Sequence, residues 1–408
     1  MNTLLGRGTV YRILEPVFLP VVHKRRVLAL SLATVGVRHA GRLSVAETGR
    51  SLAAVTGKSP KHCIRQIDRF LGSDGLNLVE VFPPYVRMVV GDRREAFVAM
   101  DWTQYSVNDQ ATVTLSVVTT QGRATPLVWK TVSKAGLKGK RNGYEDDVLR
   151  QLREILGPDV KATVLGDRAF RDVELYEMLQ KRLGWDFIIR FRGVIEVVVR
   201  EGEVRRASEW VLRDGTALRI ERPFVTQDRV EVPAVVCVRR PKMKDDWCLA
   251  TSRTDLDADA VASWYGRRFT IEESFRDEKD DRFGWGLRET DIADPAKRDR
   301  LLFVVALARV LLTMLGAAGE ELGLDLRLRA NTAKKRTHAL LTQGRQYAYG
   351  VDVLAVLAVP LAEAYHGLRH RVHLLEFMGG AICRGFLREP VATTVASAPT
   401  PPAGHSPS

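Results

Sequence analysis

The sequence predicts an α/β protein: a core of mixed strands and helices interrupted by an inserted β-rich subdomain, with helical regions before and after it. Three observations predict this. Between residues 91 and 192, short β-branched runs alternate with two helical patterns. From 193 to 246 the helical pattern gives way to alternating segments separated by turn residues. Residues 1–90 and 297–388 read as mainly helical.

Taken in order, residues 1–90 contain the pattern of a helix-turn-helix. Val45–Val55 is followed by Thr56-Gly57, and Ser59 then stands as N-cap with Pro60 at the first helical position of a second helix through Leu71. Cys63, Ile64, Ile67, Phe70 and Leu71 fall on one side of that helix, and Lys61, Arg65 and Arg69 on another. A basic stripe on a second short helix suits a DNA major groove. An amphipathic helix of an ordinary N-terminal bundle would give the same pattern.

The first part of the core, 91–192, offers strands at Phe97–Met100, Thr112–Thr119 and Thr125–Val132, then a helix over Tyr144–Leu156 that Gly157-Pro158 ends. A strand at Ala162–Leu165, a helix at Val173–Leu183 and a strand at Phe187–Phe191 follow. Three strands, helix, strand, helix, strand is the order of a ribonuclease-H-like core. Within 193–246, Val194–Arg200, Ala217–Glu221 and Val230–Arg239 read as strands of the inserted subdomain. Trp247–Thr251 returns to the core, whose second part, 247–296, carries a helix starting near Asp257. Leu301–Ala318 approaches membrane-span length, but Arg309 near its centre and dense flanking charge favour a buried core helix. Residues 389–408, rich in Pro, Ala, Ser and Thr, read as a disordered tail.

Composition narrows the function. The 408 residues carry a formal net charge of +13, which implies an acidic partner, either nucleic acid or an anionic membrane surface. The four cysteines are scattered without a CxxC pair, so neither a disulfide framework nor a zinc site is expected, and a reducing cytosolic compartment fits. Pro16, Pro20 and the basic stretch at 23–26 break any signal-peptide pattern. Lys334-Lys335-Arg336 is either a DNA-backbone contact or a solvated run. His370 and His373 lack nearby ligand partners for a metal.

The chemistry concentrates in YGRRFTIEESFRDEK. Tyr265, Arg268, Glu272 and Lys279 lie at offsets of 0, 3, 7 and 14. At about 100° per residue they project within one narrow stripe of a helix, with Trp264, Ile271 and Phe275 beside it as a packing face. A solvated, ion-paired face would look the same. Glu273 projects about 100° away from Glu272, and Asp277 and Glu278 also leave the stripe. Two further acids stand at or near the ends of apolar strands: Asp101 in FVAMDWTQY and Asp167 in TVLGDRAF. Burying a charge there is costly unless a bound cation offsets it, and ligands of α/β sheets gather at such strand ends. Either aspartate alone could be a turn or N-cap residue.

Together these segments resemble the DDE transposases of the bacterial insertion-sequence-4 family. The family's Y-x2-R-x3-E-x6-K motif matches Tyr265, Arg268, Glu272 and Lys279 without a gap; Asp101-Trp102-Thr103 and Asp167-Arg168-Ala169-Phe170 match the contexts of its first two acids. The resemblance spans roughly residues 90–350. It implies that Asp101, Asp167 and Glu272 hold two Mg²⁺ ions, with Mn²⁺ able to substitute, for in-line attack on a phosphodiester. It further implies that Tyr265, Arg268 and Lys279 hold DNA phosphates, with Arg168 as a second-tier contact. The implied partners are double-stranded DNA, as inverted-repeat ends and target, and a second copy of the chain in the DNA complex, in the bacterial cytoplasm and with no membrane. Trp210, inside the insertion, is either a base-stacking residue or a core position. Two other readings remain: a ribonuclease-H-like nuclease without strand transfer, and an inactive transposase-derived DNA-binding protein.

Overall fold

The computed structural model describes residues 5–349 apart from 120–121, 171–172, 226–228, 281–283, 288–289 and 335, together with 360, 361, 363 and 364. Lys335, the histidines at 370 and 373 and the expected tail at 389–408 lie outside the described residues.

Five helices open the chain: α1 (Arg7–Phe18), α2 (Lys24–His39), α3 (Val45–Thr56), α4 (Pro60–Gly72) and α5 (Leu78–Val90). The expected turn joins α3 to α4. Ser44 caps α3 by accepting from the Glu47 amide, and Gly57, at φ +69°, closes it in the left-handed region that glycine adopts without strain. Ser59 then caps α4 by accepting from the His62 amide, with Pro60 in the first turn. Gly49 lets the two helices touch, since a Cβ there would lie 2.5 Å from the Ile64 Cα. Cys63, Ile67, Phe70 and Leu71 are buried, while Lys61, Arg65 and Arg69 are exposed.

The main sheet is built from β1 (Glu95–Tyr105), β2 (Gln110–Val117), β3 (Thr125–Ser133), β4 (Lys161–Gly166) and β5 (Asp186–Phe191), with α6 (Arg141–Leu156) and α7 (Val173–Glu177) between the later strands. A π-helical turn, Met178–Leu183, extends α7. The short strands β6 (Glu196–Val198), β7 (Val204–Arg206), β8 (Leu218–Glu221), β9 (Phe224–Val225), β10 (Val230–Glu231) and β11 (Ala234–Val238) precede β12 (Trp247–Thr251). The eight-stranded sheet runs β3-β2-β1-β4-β5-β12-β11-β8, and β6, β7, β9 and β10 form a second, four-stranded sheet. The β-rich stretch is therefore shared: β8 and β11 prolong the main sheet and the rest stands apart. Among the described residues, only β1/β4 and β4/β5 pair in parallel in the main sheet.

Alternation along β1 sorts the two faces. Phe97 and Ala99 pack with residues of α8 (Ala258–Arg267) and α9 (Thr270–Lys279), including Val261, Ile271 and Phe275. Val98 and Met100 point to the other face, toward Val148 and Leu152 of α6. The apolar run expected as a core helix is α10 (Pro295–Glu321), long and apolar enough to cross a membrane but enclosed by the fold. Its Phe303 meets Phe18, Phe82 and Tyr85 at ring-centroid distances of 5.5–6.0 Å, so the N-terminal helices and α10 share one core. Fully buried Arg298 of α10 donates to Asn108 (2.7 Å) and Gln110, tying down the β1–β2 turn. A last described helix, α11 (Leu340–Tyr349), packs against α10.

One local expectation is corrected. The stripe does not lie on one unbroken helix, because α8 ends at Arg267 and α9 starts at Thr270. Arg268 and Phe269 keep right-handed helical dihedrals, but the Arg268 amide bonds to Tyr265 and the Ile271 amide to Arg268, a tightening to i→i−3 spacing.

Candidate active site

The two aspartates meet because one strand outruns another. Parallel pairing of β1 with β4 ends at Met100 opposite Gly166, so Asp101 and Asp167 are the next residue on each strand. Asp101 is not at its strand's end as expected: β1 continues to Tyr105 by antiparallel pairing with β2. Strand alternation puts Asp101 on the same face as Phe97 and Ala99, beneath α8 and α9. Its carboxylate accepts from the Trp102 amide at 2.8 Å. Asp167 accepts from the Ala169 amide at 2.7 Å, a turn of its own well before α7 begins.

Glu272, in the first turn of α9, is linked to Asp101 through an arginine. Arg268 donates from Nη2 to Glu272 at 2.8 Å and places Nη1 3.6 Å from the Asp101 carboxylate. Burial pushes the Asp101 carboxyl up to about 6; Arg268 opposes the rise, while the like charges of Asp167 and Glu272 reinforce it. Glu273, by contrast, pairs with Arg276 at 2.9 Å and lies 3.9 Å from Arg123, away from the aspartates. Glu278 is buried against Arg309 at 3.0 Å, and Asp277 pairs with Arg123 at 2.6 Å.

Two of the residues expected on DNA phosphates are enclosed instead. Tyr265 has no exposed surface; its ring meets Trp247 edge-on at 4.9 Å, and burial raises its pKa. Arg268 is 4% exposed and spends its charge on the two acids. Packing of α8 onto the sheet accounts for Tyr265, which shares the buried face of that helix with Val261 and Ala262. Lys279 is half-buried over the rings of Tyr105 and Phe275, and Arg168 is exposed beside Asp167.

A cleft of about 610 Å³ opens above these groups, lined among others by Asp101, Trp102, Lys134, Glu272, Arg276 and Lys279. Separately, Lys61, Arg65 and Arg69 line a shallow concavity of about 630 Å³ on α4. Carboxylate oxygens suit a hard divalent cation, which would offset the burial, and the lesser repulsion from Asp167 and Glu272, that lift Asp101. As placed, however, no three acidic, histidine or cysteine side chains among the described residues are gathered tightly enough to hold one ion.

Residues 95–311, just over half of the chain, match the family model described as Transposase DDE domain. The chain belongs to this family. No curated protein matches it. The transposase domain so defined begins at the first residue of β1 and ends within α10, and therefore contains both aspartates, α9 and Arg309.

Several contributors to this transposase site carry no motif. Glu145 of α6, 6% exposed, accepts from the Trp102 indole at 2.6 Å and from Arg141 at 3.0 Å, while Arg141 lies 5.3 Å over the Trp102 ring. This brace fixes the residue whose amide holds Asp101. The one sequence signal for that wall of the cleft is the cation run from Lys134 to Arg141. Trp210 is half-buried against the main core, with Arg205 over its ring at 4.8 Å.

Proposed function

We propose that this protein is a transposase of the insertion-sequence-4 group, cutting DNA at the inverted repeats of its own element and joining the ends to target DNA. The observation that carries the reading is the adjacency of Asp101 and Asp167 in register where the β1/β4 pairing ends, with Glu272 linked to Asp101 through Arg268. On this reading the core is ribonuclease-H-like, with 193–246 as its insertion. Asp101, Asp167 and Glu272 would hold two Mg²⁺ ions, or Mn²⁺ in their place, once the three carboxylates are drawn together. Such ions supply an activated oxygen nucleophile and charge stabilisation for the leaving oxygen.

The chain's own groups set the stage for that chemistry. Arg268, between two acids, balances their charge and holds Glu272 toward Asp101 before any ion enters. Tyr265 backs Arg268 from inside the fold, with the guanidinium 5.7 Å over its ring. Lys279 and Arg168 receive DNA phosphates near the cut. Lys61, Arg65 and Arg69 contact the duplex away from it. Two copies act together on paired ends, in the cytoplasm at the nucleoid.

A strand-transfer assay tests the reading. Pre-cut duplex ends taken from the DNA flanking the coding region, incubated with the protein, Mg²⁺ and a supercoiled plasmid, should give plasmid joined to the ends. Cutting without joining would favour a nuclease. Duplex binding with neither reaction would favour a non-catalytic regulator.

A further inference from the structure

We propose that the segment Lys134–Arg141 is a second wall of the cleft that grips the DNA phosphate backbone; this rests on the reading that the cleft acts on DNA. The sheet brings it there. Ser133 at the end of β3 pairs with Gln110, and Gln110 pairs with Tyr105 at the end of β1, so the segment leaves the sheet at the end of β1 that lies four residues beyond Asp101.

One end of the segment lines the cleft and the other packs on a residue that does. Lys134 lines it together with Asp101 and Glu272. Arg141 stacks over Trp102, which lines the cleft too. Between them Lys138 and Lys140 are exposed, and neither has an ion pair among the described residues. Four cations thus fall within eight residues that include no acid.

A cation run is ordinarily just a solvated face. This one differs in two respects. Lys140 and Arg141 open α6, where the helix dipole disfavours positive charge, with no capping side chain and no acid in the first turn. The segment also shares its cleft with Arg276 and Lys279 of α9, so cations from two elements line the cleft that Asp101 and Glu272 line. A polyanionic strand crossing Asp101 and Glu272 would meet positive charge from both, and fixed cations position phosphates without reading sequence.

The test uses a fluorescein-labelled 30-base-pair duplex of random sequence, with Ca²⁺ in place of Mg²⁺, followed by anisotropy across a KCl series. The double variant K138Q/K140Q should bind about ten-fold more weakly at 100 mM salt and lower the slope of log K against log[KCl] by roughly 1.8, for two lost phosphate contacts. K138E/K140E should bind more weakly still. The variant R94Q/K161Q, at the opposite end of β1 and β4, should match wild type. Wild-type affinity and slope in K138Q/K140Q, or an equal loss in R94Q/K161Q, would overturn the proposal while leaving the catalytic reading intact. Failure of wild-type protein to bind the duplex at all would overturn both.

Discussion

Replacing Arg309 with methionine should loosen the helix that carries Glu272, and the structure sets the size of the effect. Arg309 and Glu278 are 4% and 7% exposed at their side chains and meet at 3.0 Å across the α10–α9 contact. Arg309 also donates to the carbonyls of Ser274 and Ala124 at 3.2 and 3.3 Å. The Ala124 carbonyl keeps a partner in the Ser274 hydroxyl at 2.8 Å, so most of the loss falls on the stranded Glu278 carboxylate. Removing one member of a buried pair costs about 3–5 kcal/mol, so R309M should lose about that much at pH 7. Burial already raises the Glu278 pKa against the pull of Arg309, and without Arg309 it rises further. Protonation then offers relief, and the R309M deficit should shrink as pH falls from 7 to 5. Removing both charges, as R309M/E278L, should restore stability to within about 1.5 kcal/mol of wild type, since the pair itself barely exceeds its desolvation cost. Urea midpoints from tryptophan fluorescence, compared at constant slope, read all three. A wild-type midpoint for R309M, or a double variant no more stable than the single one, would refute the reasoning.

Two further predictions follow from the interior. Burial pushes the Asp299 carboxyl up to about 7 despite the hydrogen bonds it accepts from Thr131. The folded protein therefore binds a proton that the unfolded chain releases near the ordinary carboxylate pKa, and stability falls as pH rises from about 4 to 7, by up to about 1.4 kcal/mol per unit. D299N should gain on wild type across that window and hold a constant difference above it; a difference in urea midpoints independent of pH would contradict this. At the α3–α4 contact, a Cβ on residue 49 would sit 2.5 Å from backbone, so G49A should cost about 1–3 kcal/mol and speed amide exchange in both helices. Unchanged exchange there would mean that the helices do not approach so closely.

Local chemistry made much of this legible. The capping residue Ser59, Pro60 after it and the turn at Gly57 mark the α3–α4 junction in the sequence as they stand in the structure. The order of strands and helices from β1 to β5 follows from apolar runs and their punctuation. What escaped depends on partners distant along the chain. The apolar run Phe97–Met100 stops at Asp101, yet the strand continues because β2 keeps pairing after β4 has ended. Arg309 looks anomalous in an apolar run until Glu278, from another helix, is beside it. The break at 268–269 leaves helical dihedrals intact, so an angular projection does not register it, and the burial of Tyr265 and Arg268 depends on what α8 packs against. Nothing local tells β8 and β11 to join the main sheet while their neighbours form another.

The central claim is that Glu272, and not the adjacent Glu273, completes the acid set with Asp101 and Asp167. The direct measurement is Mg²⁺-dependent cleavage of a duplex carrying an element end by E272Q and E273Q, with duplex binding measured in parallel. The account predicts that E272Q binds normally and loses cleavage by at least about a thousand-fold, a transition-state loss of roughly 4 kcal/mol, whereas E273Q cuts at nearly the wild-type rate. Equal loss in both variants, or cleavage surviving in E272Q, would contradict it.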